Sequence, residues 1–564
     1  MVQFIYLTQN QLRHVKTTTT IAHHFSFILV MMLSLLVSAC PYRPPLSAEY
    51  SILDEQPDAT PLSSRVLLVA DNQLHHLYGE PFWMRSEFAD KLVRSSIRPV
   101  QLDLYGTELL KWVLERHGSR LPVIHLGDAL DLACTEEFNT FVKIMEGAKK
   151  GWVMAPGNHD GYLFGNVHDD GKNWSEACAR GGKPMTKNAF VKAYLDTLVR
   201  QNEMGCRALA QSLGVDKNPL PEKGHWRYDG KERSFLNAVA WHINNEEPWR
   251  SYIIQEVNLT SVHSKQSFAA ILLDTTQYQE PPTLIPSPLH SRSNAGLAGE
   301  LLDDQLKILE DWLKLGRNSK QITVLMGHHP YINLNKNARN AIDHFREKER
   351  VILYVSAHTH AGQYIVQGSD RDTWLELNIG SILDWPAEFR TMQFLLAEDT
   401  ERIVVRTPLF RLYEVWSNGS DDVPDCEEEW EARPGDKDYY LTYMDNYSPN
   451  PEETQNRLMD DLLHSYKRLL KVAPTETSTY WPPDCTDDKK VIAAIDEAIK
   501  PSTSLDTKIE LLVNLDSFEK VRLAKDRKIH KNFRLCQALW ASKYDHIGTR
   551  SPQVDDWFIT FPKE

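Results

Sequence analysis

Six short apolar runs punctuate the chain, and each breaks off into polar residues. They are RVLLVAD (65–71), LPVIHLGD (121–128), KGWVMAPGN (150–158), FAAILLDT (268–275), QITVLMGHH (321–329) and RVILYVSAH (350–358). Continuous apolar runs of this length fit strands buried on both faces, as in parallel sheets. Amphipathic stretches lie between them at 106–117, 136–149 and 300–315. In the last, LLDDQLKILEDWLKL, the side chains of Leu302, Leu306, Leu309, Trp312 and Leu313 form a helical stripe. Strands alternating with helices predict an α/β layered architecture.

The pattern loosens elsewhere. Residues 161–260 read as an insertion on the core, partly helical, with FLNAVAWHI and YIIQEVNL as returning strands. Residues 41–64 are rich in Pro, Ser and acid and read as a tether. Past Phe410 a polar, acidic break leads to helical stretches near 451–472, 487–499, 505–525 and 529–541. The expected organisation is a leader at 1–39, a tether at 40–64, a domain at 65–410 and a mainly helical region at 411–564.

Composition narrows the classes. The 564 residues are 42% hydrophobic and 25% charged, ordinary for a globular chain, so disorder is not the default. A net charge of −14 counts against general nucleic-acid binding, which needs a basic face. Arg13 and Lys16 precede the apolar stretch FSFILVMMLSLLVSA, and no acid occurs before Glu49. A basic flank, a short apolar core and small residues before a cut make 1–39 a secretory signal pattern. Its end, LVSAC, resembles the bacterial lipobox. That resemblance implies a lipid on Cys40, a membrane anchor through it, and a place on the periplasmic side of the cell envelope. Six further cysteines can then oxidise, and without a CxxC spacing they offer no structural zinc site.

The chemistry lies where the runs end. Asp71 follows the first, Gly127-Asp128-Ala129-Leu130-Asp131 the second, and Gly157-Asn158-His159-Asp160 the third. Gly327-His328-His329-Pro330 and Ala357-His358-Thr359-His360 follow the last two. Ligands in open α/β sheets gather outside the carboxyl ends of strands, so these five ends can converge. With Gln73 the donors are oxygen and imidazole nitrogen without thiolate, which suits Mn²⁺, Fe or Zn²⁺. Their number exceeds the needs of one ion, and two ions sharing a carboxylate fit better.

In this order, D-x-x, GDxxD, GNHD, GHxP and HTH resemble the calcineurin-like metallophosphoesterases over roughly 65–410, about three fifths of the chain. The resemblance implies a four-layer α/β/β/α sandwich of two mixed sheets and two divalent ions. It implies that Asp71, Gln73 and His360 hold the first ion, that Asn158, His328 and His358 hold the second, and that Asp128 bridges them. A hydroxide held by the ions would attack a phosphate mono- or diester, and His159 would protonate the leaving oxygen. Asp131 has two readings: it orients His159, or it caps the following helix. His329 and Asn378 are candidates for substrate contact, and His125 reads as a satisfied core histidine. The implied substrate is a phosphorylated small molecule or lipid headgroup.

Two positions depart from the family pattern. Ala357 stands where glycine is usual, and Gln73 where histidine is usual. A neutral amide oxygen weakens the first site or tilts it toward a harder ion such as Mn²⁺. His75 lies four residues past Asp71, about 13 Å along extended chain, and reaches the same ion only if the chain folds back. Gln73 therefore keeps an alternative open, a degenerate relative that binds a phosphorylated ligand or an envelope partner without turnover.

Overall fold

All six apolar runs fold as strands. In the computed structural model the described residues are 51–53, 58–74, 100–161, 183–201, 221–228, 235–281, 298–349, 351–368, 374–398, 402–412, 488–504 and 558–561, with isolated positions between 460 and 542. The first strands are β1 (Ser51–Leu53), β2 (Ala59–Pro61), β3 (Val66–Val69), β4 (Val123–His125), β5 (Trp152–Met154), β6 (Lys223–Arg227), β7 (Leu236–His242) and β8 (Tyr252–Asn258). Then come β9 (Phe268–Leu272), β10 (Ile322–Met326), β11 (Val351–Ser356), β12 (Gln363–Gln367), β13 (Trp374–Asn378), β14 (Glu388–Ala397), β15 (Ile403–Arg406), β16 (Leu409–Arg411) and β17 (Phe558–Phe561). The helices are α1 (Val100–Val113), α2 (Thr135–Met145), α3 (Lys187–Gln201), α4 (Asp303–Asn318), α5 (Lys336–Lys348) and α6 (Asp488–Ala498).

One sheet runs β1-β17-β15-β14-β3-β4-β5, with β2 and β16 also paired to β14. The other runs β12-β13-β11-β10-β9-β8-β7-β6. The centre of each is parallel, β3-β4-β5 in one and β9-β10-β11-β13 in the other, and antiparallel strands extend both. The two sheets meet face to face, with the rings of Phe268 and Phe394 stacked 4.9 Å apart. On the outside of the second, α4 buries Leu309, Trp312 and Leu313 of the stripe read from the sequence, and α5 adds Ile342 and Phe345. On the first, α2 sets Phe141 edge-on to His125 and Trp152. The result is the expected helix–sheet–sheet–helix sandwich.

The structure adds detail at three places. In the span 161–260 the returning strands FLNAVAWHI and YIIQEVNL are β7 and β8, and with β6 they form the antiparallel edge of the second sheet. Helix α3 joins that edge to β5: the Tyr194 hydroxyl donates to Gln255 Oε1 (2.8 Å) and accepts from the Met154 amide (2.6 Å). The supposed tether contributes two strands, with Ile52 opposite Ile559 and Thr60 opposite Leu396. In the C-terminal region, read as mainly helical, the strand β17 lies between β1 and β15. Helix α6 occupies the predicted 487–499 stretch. The leader at 1–39, Cys40 and His75 lie outside the described residues. Among the described residues no helix is long and apolar enough to cross a membrane.

Candidate metal centre

The parallel strands of both sheets release the chain at a common edge, and the donors collect there. After β3 and β4 the chain continues side by side: the amides of Asp71, Gln73 and Leu74 donate to the carbonyls of Gly127, Asp128 and Ala129 at 2.9–3.0 Å. Beneath this ladder His125 Nε2 meets Asn72 Oδ1 (2.6 Å), and Asn72 Nδ2 donates to the Ala129 carbonyl (2.8 Å). His125 is fully buried and satisfied, the core role read from its apolar setting.

Among the described residues, eight that are not glycine have positive φ, and five of them are expected donors: Asp71, Gln73, Asp128, His358 and His360. Such conformations cost roughly 1–3 kcal/mol each and persist where the surroundings impose them. Here strand ends must turn sharply to aim side chains at one point. Glycine is required beside them: a Cβ on Gly157 would stand 2.2 Å from Asp128 Oδ1, and one on Gly127 2.7 Å from His328 Nδ1.

The deeper cluster gathers around His328. Its Nδ1 donates to the Leu126 carbonyl (2.8 Å), so in the neutral ring Nε2 is an acceptor. That Nε2 faces Asn158 Oδ1 (3.0 Å), His358 Nδ1 (3.1 Å) and Asp128 Oδ2 (3.2 Å). Asp128, His328 and His358 each place one donor atom within 4.8 Å of the others. Electron-pair donors converging in a buried space fit a cation. The second cluster pairs Asp71 Oδ1 with His360 Nε2 (3.1 Å). The clusters meet at His358, whose amide donates to Asp71 Oδ2 (3.4 Å).

The charges follow. Burial alone would lower the pKa of both histidines, but Asp128 and Asp71 raise His328 to about 9, and Asp71 and Asp384 raise His360 to about 10. Burial and the charge of His328 lower His358 to about 3. Asp128 stays well below the usual carboxylate range because His328 and His159 outweigh its desolvation. The metal-free chain thus keeps positive charge beside each carboxylate.

His159 sits at the opening with a fifth of its side chain exposed, its amide donating to Asp128 Oδ1 (2.9 Å). Its Nδ1 lies 2.7 Å from the Asp131 main-chain oxygen and 3.6 Å from the Asp131 carboxylate. The residue expected to orient His159 therefore does so chiefly through its backbone. Nor does Asp131 cap α2, because Glu137 accepts from the Leu132 and Cys134 amides. Asp160 braces the loop, taking amides from Ala129, Leu130 and Gly157.

The two candidates for substrate contact, His329 and Asn378, both lie deep in the site. His329 is fully buried, bound at Nδ1 to the Thr275 hydroxyl (2.9 Å), with its ring 4.6 Å from that of His358, so it walls the site from behind. Asn378 is likewise buried: its amide donates to Ser356 Oγ and the Ala357 carbonyl and accepts from the Thr359 hydroxyl. It holds the HTH turn. Gln73 is placed beside Asp128 through its backbone and is 6% exposed.

Sequence reading missed Asp384, whose carboxylate bonds His360 Nδ1, and Ser381, whose hydroxyl donates to the Asp71 carbonyl (2.8 Å). A lone acid inside the apolar string SILDW was the available signal. Cys134 and Cys536 each take part in a disulfide.

The family model for calcineurin-like phosphoesterases matches residues 65–362, a little over half of the 564. No curated protein matches the chain.

Proposed function

The chain belongs to the calcineurin-like phosphoesterase family, whose chemistry is metal-dependent phosphoester hydrolysis, and from that premise we propose an exported phosphoesterase acting on a phosphate mono- or diester at a dinuclear centre. The observation that carries this reading is the meeting of two donor clusters at His358, which touches Asp71 through its amide and His328 through its ring. Asp71, His360 and Gln73 would hold one ion; Asn158, His328 and His358 the other; Asp128 would serve both. The oxygen-rich donor set with a glutamine favours Mn²⁺ over Fe or Zn²⁺. When bound, the ions supply Lewis acidity that neutralises phosphoryl charge and lowers the pKa of water.

The chain's own part is proton transfer and placement. The Asp131 carbonyl accepts a hydrogen bond from His159 Nδ1–H, so in the imidazolium form Nε2 is the atom that would pass its proton to the leaving oxygen, leaving the ring neutral. Asp160 fixes the Gly157–Asp160 turn beneath it. That Cys134 and Cys536 each take part in a disulfide fits an oxidising compartment and so supports export. A lipid on Cys40 would hold the enzyme at the membrane, on the periplasmic side of the envelope, within reach of phosphorylated small molecules or lipid headgroups.

The test is a paired assay of aryl phosphate monoester and diester hydrolysis, with metal content measured on the same samples. Mn²⁺ should stimulate turnover. His159→Ala should lose about 10²–10⁴-fold in kcat while keeping its metal. Normal turnover by that variant would overturn the proton-transfer role. Two bound ions with no hydrolysis of either ester would favour the non-catalytic reading that Gln73 leaves open.

A further inference from the structure

The turn between β13 and β14 lies beyond residue 362, where the family match ends, yet it reaches both donors of the Asp71–His360 cluster. Ser381 Oγ donates to the Asp71 carbonyl (2.8 Å) and accepts the amides of Leu383 (3.0 Å) and Asp384 (2.9 Å). That hydroxyl therefore ties the position of Asp384 to the position of Asp71. The Ile382 amide donates to the Ala70 carbonyl (3.2 Å), fastening the same turn to the end of β3. Asp384 then bonds His360 Nδ1, while His360 Nε2 faces Asp71 Oδ1 (3.1 Å). Ser381 and Asp384 are each 1% exposed, so neither is engaged with bulk solvent.

We propose that the Ser381–Asp384 turn is a clamp for the first metal site, with Asp384 as the residue that positions His360. A carboxylate accepting the Nδ1 proton fixes the ring's tautomer and orientation and makes Nε2 a stronger donor. That support matters most at this site, because Gln73 supplies a neutral oxygen where imidazole would bind more firmly. The deeper cluster has no such dependence: His328 gives its Nδ1 proton to the Leu126 carbonyl at the end of β4. The inference rests on the two-ion reading above.

The experiment is Mn²⁺ titration of the chelator-treated full chain by calorimetry, with kcat and KM from an aryl phosphate assay on the same preparations. Wild type should bind two equivalents. Asp384→Asn should weaken one of them about 10–100-fold and leave the other unchanged. Its melting temperature without metal should stay near that of wild type, and saturating Mn²⁺ should restore most of kcat. Asp384→Ala should weaken the same equivalent further. If Asp384→Asn does not fold, Ser381→Ala, which removes only the hydroxyl under Asp71, is read the same way. Two equivalents of unchanged affinity in these variants would overturn the clamp alone. Equal weakening of both equivalents would also overturn it, pointing to general destabilisation. A single equivalent in wild type would overturn the two-ion reading and the clamp with it, and would be seen before any variant is compared.

Discussion

The two halves of the metal centre are built by different means. Around His328 the donors come straight off the ends of parallel strands, and the residue itself is fully buried. Its ring is oriented by a backbone carbonyl, Leu126, that belongs to the sheet framework. Around His360 the donors also follow strand ends, but the ring is oriented by a side chain from a later turn, Asp384. The first arrangement is imposed by the fold whatever the side-chain details. The second depends on a few residues and includes the one departure from the family's ligand pattern, Gln73. Metal choice and catalytic tuning are therefore expected to lie in the His360 half.

Truncating one histidine in each half gives the largest contrast. His328→Ala should lose activity by on the order of 10³-fold or more, since an ion contributing several kcal/mol would be lost at about 1.4 kcal/mol per tenfold. It should also lower stability by about 1–3 kcal/mol, because the buried Leu126 carbonyl loses its donor. His360→Ala should release only one equivalent of metal, and it should lower the melting temperature of the metal-free chain because the buried Asp71 and Asp384 carboxylates lose their positive partner. Metal analysis, kinetics and denaturation on both variants decide the matter. Equal losses on all three measures would break the comparison.

Gln73→His sharpens it. Histidine tolerates positive φ better than most residues, so the backbone at φ 32° can be kept. An imidazole there should raise zinc affinity at the weaker site by about tenfold relative to manganese, roughly 1.4 kcal/mol. Competition titration against a zinc chelator measures the change. No change in the Zn²⁺-to-Mn²⁺ ratio would mean that position 73 does not touch an ion.

The sequence disclosed the centre of the fold and not its margins, for a physical reason. Buried parallel strands must be apolar throughout, and β3, β4, β9 and β10 are wholly buried, so they stand out in any window. The margin strands β1, β2 and β17 are three or four residues long, and β1 pairs with a partner some 500 residues away. No local period distinguishes them from loop. The donor positions were legible because each follows an apolar run, but that signal does not separate ligand from scaffold. Asp274 also ends such a run, in FAAILLDT, and the structure pairs it with the buried Lys187 ammonium (2.8 Å) instead of placing it with the other donors. Asp384 and Asn378 show the same limit from the other side: their roles depend on which turn lies opposite, and one chain's pattern does not carry that.

The smallest effect concerns the footing that both halves share. His125 Nε2 bonds Asn72 Oδ1, and its Nδ1 accepts the Gly127 amide (3.2 Å), so the neutral ring is fully used. A second proton would set two N–H groups against each other, and burial together with the charge of His328 lowers its pKa to about 3. An unfolded histidine titrates near 6.5, so the stabilisation from the neutral ring is complete above about pH 6.5. It is lost as pH falls from there toward 3, at up to about 1.4 kcal/mol per pH unit. His125→Gln keeps an acceptor for Gly127 and a donor for Asn72 but cannot titrate. In the metal-free chain the variant should be about 1–2 kcal/mol less stable than wild type at pH 7 through looser packing. By pH 5 that gap should close or reverse, because only wild type suffers the protonation penalty. Urea denaturation at pH 7, 6 and 5 reads it directly. A gap that stays constant across that range would mean that His125 is not held neutral, and that the Asn72 link under both halves of the centre tolerates a charge.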